Sequence, residues 1–116
     1  MTITVEAYTG SETISTTEWS LTTDASGPDA DTNAGIYQVF VDLSALAAGD
    51  TFVFKTYERV RTGDTQRVVY EVNFTGAQSQ PVWVSPSLIL GVGWDMTLDK
   101  LAGTDRAINW RISRIS

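Results

Sequence analysis

Between Gly35 and Phe74 the chain carries two runs in which apolar and polar residues alternate with a period of two. Phe52, Phe54, Thr56, Glu58 and Val60 fall on one phase and Val53, Lys55, Tyr57 and Arg59 on the other; beyond Thr62-Gly63-Asp64, the residues Val68, Tyr70, Val72 and Phe74 resume the period. Successive side chains of a strand point to opposite faces, so each run has one face for a core and one for water. One register satisfies both. A three-residue loop centred on Gly63 sets Phe52 opposite Phe74, Phe54 opposite Val72 and Lys55 opposite Glu71, so apolar and charged pairs agree on one alignment. The pattern predicts a half-buried antiparallel hairpin.

The rest of the chain reads the same way. Thr2 to Tyr8 alternates, and Thr9-Gly10-Ser11 predicts a turn that ends this first strand. Glu12 to Thr22 is rich in β-branched threonine and reads as an edge or irregular strand. Thr23 to Ala34 holds no apolar residue larger than alanine and is expected to be a surface loop. Ile36 to Leu43 is apolar on both phases, as in a central strand covered on both sides. Ser44 to Asp50 suits a single helical turn, capped by Ser44 and stopped by Gly49. Pro86 interrupts a strand begun by Val82-Trp83-Val84, which places that segment at an edge or a bulge because proline cannot donate to a ladder. Trp94, Met96 and Leu98 read as one arm of a second hairpin, with Ile108, Trp110 and Ile112 on the other.

About eight strands, no convincing helix and no fixed-period repeat predict an all-β fold. Its simplest form is a two-sheet antiparallel sandwich, jelly-roll-like, with a small closed β-barrel as the alternative. At 116 residues, one domain spanning positions 1–116 is expected.

Composition then narrows the chemistry. The chain has no cysteine and no histidine, which removes thiolate nucleophiles, Cys or His zinc sites and the commonest general base. No enzyme and no cofactor are expected. A formal net charge of −6 disfavours nucleic acid as a partner. Neither a basic, apolar leader nor a stretch of ~18 apolar residues is present, so synthesis in the cytoplasm and no membrane insertion are expected.

Three constellations are candidates for function. Asp29, Asp31 and Asn33 place oxygen ligands at alternate positions, a weak calcium candidate that lacks the glycine and the bidentate glutamate of a complete loop site. The second is aromatic. Trp94, Trp110 and Tyr70 lie on apolar phases and are expected in the core, whereas Trp83 and Tyr57 are expected to reach the surface. The third is basic: Arg59, Arg61 and Arg67 gather at the hairpin tip, and Arg106, Arg111 and Arg114 near the C-terminus. Cations segregated on an acidic chain suit a complementary contact with a like subunit or an acidic host surface.

The run Gly35-Ile-Tyr-Gln-Val-Phe-Val-Asp-Leu through Ala47-Ala-Gly-Asp, then Tyr57-Glu-Arg-Val-Arg, Asp64-Thr-Gln-Arg, Gly76-Ala-Gln-Ser, Trp83-Val-Ser-Pro and Leu101-Ala-Gly-Thr-Asp-Arg, resembles small all-β virion proteins of tailed bacteriophages. Among these the capsid decoration, or cement, proteins are most similar. The resemblance implies a structural protein on the outer capsid surface, a homotrimer that stabilises the shell by binding between major capsid subunits. On that reading Arg59, Arg61, Arg67, Tyr57 and Trp83 are the candidate contact residues. A carbohydrate-binding or host-adhesion module of a tail or fibre is the alternative.

Overall fold

The alternation around Gly63 forms a hairpin in a computed structural model of the chain, which describes residues 1–116. Strands β5 (Thr51–Glu58) and β6 (Arg67–Thr75) pair Phe52 with Phe74, Phe54 with Val72 and Lys55 with Glu71, the register expected from the pattern. The loop differs. A bulge shifts the ladder between Thr56 and Tyr57, pairing ends at Glu58 and Arg67, and Val60 lies outside the strand with 86% of its surface exposed.

Two antiparallel sheets pack face to face, with neither a helix nor a closed barrel. The first has the order β1 (Ile3–Ile14), β10 (Arg106–Ile115), β4 (Gly35–Asp42) and β7 (Val82–Val84), with β8 (Leu88–Leu90) also on β4. In the second, β3 (Ala25–Ser26), β2 (Trp19–Ser20), β9 (Asp95–Ala102), β5 and β6 follow one another. Strands β7 and β8 lie end to end along one edge of β4, and β3 is a two-residue extension beside β2, so eight principal strands wrap the core. Their order, 1-10-4-7 against 2-9-5-6 with every pair antiparallel, is that of a jelly roll.

Side chains from both inner faces fill the space between the sheets. Tyr37, Val39 and Val41 of β4, Ile108, Trp110 and Ile112 of β10, Phe52 and Phe54 of β5, and Trp94, Met96 and Leu98 of β9 are all buried. The apolar phases were therefore assigned to the correct side. Their partners were not always. Strands β9 and β10 do not pair with each other: β9 hydrogen-bonds to β2 and β5, and β10 to β1 and β4. The expected second hairpin is instead a crossing between sheets, and its apolar rows meet across the core.

The expected turn at Thr9-Gly10-Ser11 is also corrected. Strand β1 runs straight through it, and a Cβ at Gly10 would fall within the Trp110 ring, so this glycine serves close packing inside a strand. Trp110 donates its indole N–H to the Leu21 carbonyl at 2.9 Å, tying β10 to the far side of the core. The segment Ser44 to Asp50 forms turns and no helix, because its backbone is directed by Asp50. That buried carboxylate accepts hydrogen bonds from Arg106 Nε at 2.7 Å, Thr104 N at 3.0 Å and Ala47 N at 2.9 Å. At Pro86 the strand breaks as expected of an edge. Ser85 bridges the gap, its hydroxyl accepting from Val39 N at 3.0 Å.

Replacing Gly10 by valine should destabilise the fold by about 1–3 kcal/mol, the usual range for overpacking. Unchanged denaturation would show that the Trp110 ring moves freely. The Arg106 hydrogen bond, followed by those from Thr104 and Ala47, holds the Asp50 carboxyl down to about 2. Because this lies below the ~3.9 of an unfolded aspartate, its stabilisation is complete above that value and is lost as pH falls towards about 2. Asp50→Asn should therefore lower Tm at neutral pH and flatten the acid limb, as measured by thermal melts across that window. A limb of unchanged slope would place the acid sensitivity elsewhere.

Candidate functional site

The expected surface residues separate into three environments. Arg61 and Arg67 are exposed on the β5–β6 tip, with Arg61 Nε 3.4 Å from Asp64. Arg59 is half-buried, its guanidinium lying over Gly93, where φ is 92° and a Cβ would come within 2.6 Å of Nη1. Glycine is thus required at that position both for the backbone and for the arginine above it.

Tyr57 does point away from the core, but its hydroxyl donates to Glu18 Oε2 at 2.5 Å. The same carboxylate oxygen accepts from Thr97 Oγ1 at 2.6 Å, so Glu18 clamps the β1–β2 connection over the second sheet and half covers the phenol. Burial, reinforced by the Glu18 carboxylate, raises the Tyr57 hydroxyl well above its usual range. Trp83 is the clearest correction. With Val82 and Val84 outward, the period of two turns Trp83 inward, where its ring lies 5.0 Å from Phe54, 5.1 Å from Phe74 and stacked at 6.5 Å on Tyr70. It plugs the mouth between the sheets.

The tip is anchored at its base. Glu58 accepts from Gly91 N at 2.8 Å, from Val92 N at 3.2 Å and from Arg59 N at 2.9 Å. Gln66 Nε2 donates to the carbonyls of Asp29 at 2.6 Å and Gly93 at 2.9 Å. Around this base Glu58, Val60, Asp64, Thr65, Arg67 and Val69 line a hollow of about 420 Å³. Val60, Val68 and Val69 are exposed beside the arginines, so the tip is both apolar and basic.

The calcium candidates are engaged otherwise. Asp31 Oδ2 accepts from the Tyr8 hydroxyl at 2.7 Å and Oδ1 from Asn33 N at 2.7 Å, while Asp29 Oδ1 accepts from Ala30 N at 2.8 Å. Asn33 contributes its carbonyl to Tyr37 Oη at 2.5 Å and Trp94 Nε1 at 3.1 Å. These bonds pin the loop to the aromatic end of the core, and no group of three or more carboxylates converges as metal ligands would.

Two features were not anticipated. One is a carboxylate-rich outer face on the second sheet, where Glu71 lies opposite Lys55 and Asp99 near it, while Glu18 and Asp95 gather around Tyr57. Burial raises Asp95 against hydrogen bonds from Asp29 N and Thr22 Oγ1; it also raises Asp99, opposed by the Lys55 ammonium. The other is the outer face of the first sheet. Ile3, Val5, Ile36, Val82, Val84 and Ile89 all point outward there, with Ile89 83% exposed. Across the middle of that face the Arg111 guanidinium stacks on the Phe40 ring, 4.0 Å from its centroid. The apolar phase Ile36, Phe40 was legible in β4, but the joining of β1, β7 and β8 to it depends on strand order.

Comparison with protein-family models and with curated proteins returns no match.

Replacing Glu58 by alanine should leave the N–H groups of Gly91 and Val92 without acceptors and destabilise the fold by about 1–3 kcal/mol. Denaturant titration measures it. An unchanged midpoint would mean that Gln66 alone holds the tip.

Proposed function

We propose that this chain is a non-enzymatic virion protein, a capsid decoration protein that binds between neighbouring major-capsid subunits of a tailed-phage shell through its β5–β6 tip. The observation that carries the reading is the chemistry of that tip on an otherwise acidic body. Arg59, Arg61 and Arg67 stand against Glu58 and Asp64, in a chain of net charge −6, with Val60 86% and the Arg61 side chain 81% exposed. An exposed valine ringed by arginines has the composition of an interface contact, with apolar area for affinity and charge for steering and register. Its rigid base lowers the entropy lost on docking.

The jelly roll itself serves capsid and lectin domains alike, so the fold does not choose between them. Exposure does bear on the choice. Sugar stacking needs an accessible ring, and Tyr37, Trp94 and Trp110 are buried while Tyr8, Trp19, Tyr57, Tyr70 and Trp83 are half-buried. Trp94 and Tyr37 are fully buried, and Trp83 lies against Phe54.

The test is occupancy on phage shells prepared without this protein, read by particle mass after adding it back. The triple variant Val60→Asp, Arg61→Glu, Arg67→Glu should keep the β-type circular dichroism and Tm while occupancy falls and becomes more sensitive to salt. Unchanged occupancy would remove the tip from the contact. No binding by the unaltered protein would overturn the decoration reading itself.

A further inference from the structure

The outer face of the first sheet is unlike the rest of the surface. Ile3 (62% exposed), Val5, Ile36 and Ile89 (83% exposed) are spread over it, and its outward positions on β4 and β10 carry only two charges, Asp42 and Arg111. Most of the chain's charge of −6 therefore resides elsewhere, although Arg114 also reaches the edge of this face. Neither Asp42 nor Arg111 is paired. The ion pairs are Arg61–Asp64, Lys100–Asp105 and Arg106–Asp50, and buried Arg111 Nε has no hydrogen-bond partner. Two shallow hollows lie side by side: one of about 300 Å³ contains Asp42, Val82 and Asn109, and one of about 260 Å³ contains Ile3, Ile36 and Ile115. Phe40 and Arg111 line both, so their stack forms the ridge between them.

We infer that this face is the contact between two copies of the chain, related by a two-fold axis, with Arg111 of each copy seated in the hollow that holds Asp42 of the other. A ridge beside a hollow is self-complementary under a two-fold, because each copy supplies one of each. Arg111 and Asp42 of the two copies then form two ion pairs across the axis. A pairing through the carboxylate-rich outer face of the second sheet would instead bring like charges together. A stable interface needs about 800 Å² per partner, a small share of the molecule's 5937 Å² surface. A mostly apolar face with few charges is also the composition of a lasting homodimer. The decoration resemblance implies a trimer, whereas a single self-complementary patch closes as a dimer. The inference does not depend on the tip binding a shell.

Sedimentation equilibrium of the full chain tests it. The unaltered protein should be a dimer, Ile36→Glu should weaken association at least about tenfold, and Arg111→Asp or Asp42→Arg alone should do likewise. The double swap Arg111→Asp with Asp42→Arg should restore it, since the pair is re-formed with its signs exchanged. Circular dichroism and Tm of each variant establish that the monomer remains folded, and Ile36→Glu tests the face without touching the Arg111–Phe40 stack. A monomer at every concentration, a trimer, or a dimer indifferent to Ile36→Glu would each overturn the proposal. Failure of the double swap with Ile36→Glu effective would overturn the two-fold ion pairing. Shell occupancy, measured separately with the tip variant, reports on the other reading.

Discussion

The sandwich depends on one apolar cluster, to which β9 and β10 each contribute a row from opposite sheets. These strands are consecutive in sequence yet central in opposite sheets, so Trp94, Met96 and Leu98 on one and Ile108, Trp110 and Ile112 on the other are opposed rather than hydrogen-bonded. Each strand is flanked on both sides by partners, which means that this row of apolar contacts fixes the position of β1, β4, β2 and β5 as well. Trp110 is one of its two tryptophans. Its ring lies over Gly10 of β1, and its N–H reaches the Leu21 carbonyl beyond β2, so one side chain joins three elements of both layers. Removing such a ring would leave a cavity bordered by both sheets, where collapse is difficult.

What was legible in the sequence was local. The period of two assigned Phe52, Phe54, Trp94 and Trp110 to the inner face and fixed the β5–β6 register, because a slip by one residue would have exposed every apolar side chain of the pair. Pro86 correctly marked an edge. The misreadings share a cause, which is that each depended on a partner distant in sequence. Gly10 looked like a turn because the ring it accommodates is 100 residues away at Trp110. Trp83 was expected outside because the aromatic cluster that receives it, Phe54, Tyr70 and Phe74, belongs to another sheet. Asp50 carried no signal at all, since its defining partner, Arg106, follows 56 residues later. The candidate site was legible in the same measure: the arginines of the tip were visible as a cluster, but the apolar outer face assembles β1, β4, β7 and β8 from three separate stretches of chain.

The two broad faces differ in how they treat charge. On the second sheet, carboxylates at Asp95 and Asp99 are buried at outward positions of β9, and their elevated pKa values record the work of removing them from water. The hydrogen bonds at Asp95 and the Lys55 ammonium near Asp99 offset part of that work. Such a face is already covered, by the Glu18 clamp and the loop from Thr22 to Asp29, and offers little apolar area. On the first sheet the order is reversed: apolar side chains lie outside and charge is nearly absent. A sandwich needs only its inner faces apolar, so the exposed parts of Ile3, Ile36 and Ile89 add little to the fold of a lone copy.

This asymmetry has a consequence for assembly. The tip belongs to β5 and β6 of the second sheet, while the apolar face belongs to the first, so a contact through one leaves the other accessible. Two copies joined by their first sheets would present two tips on one rigid body. When both tips find sites on a repeating surface, the second docking is intramolecular, and the combined affinity exceeds that of either tip without any new contact. A modest, salt-sensitive tip would then be sufficient, because the apolar face would supply the permanence that the charged loop lacks.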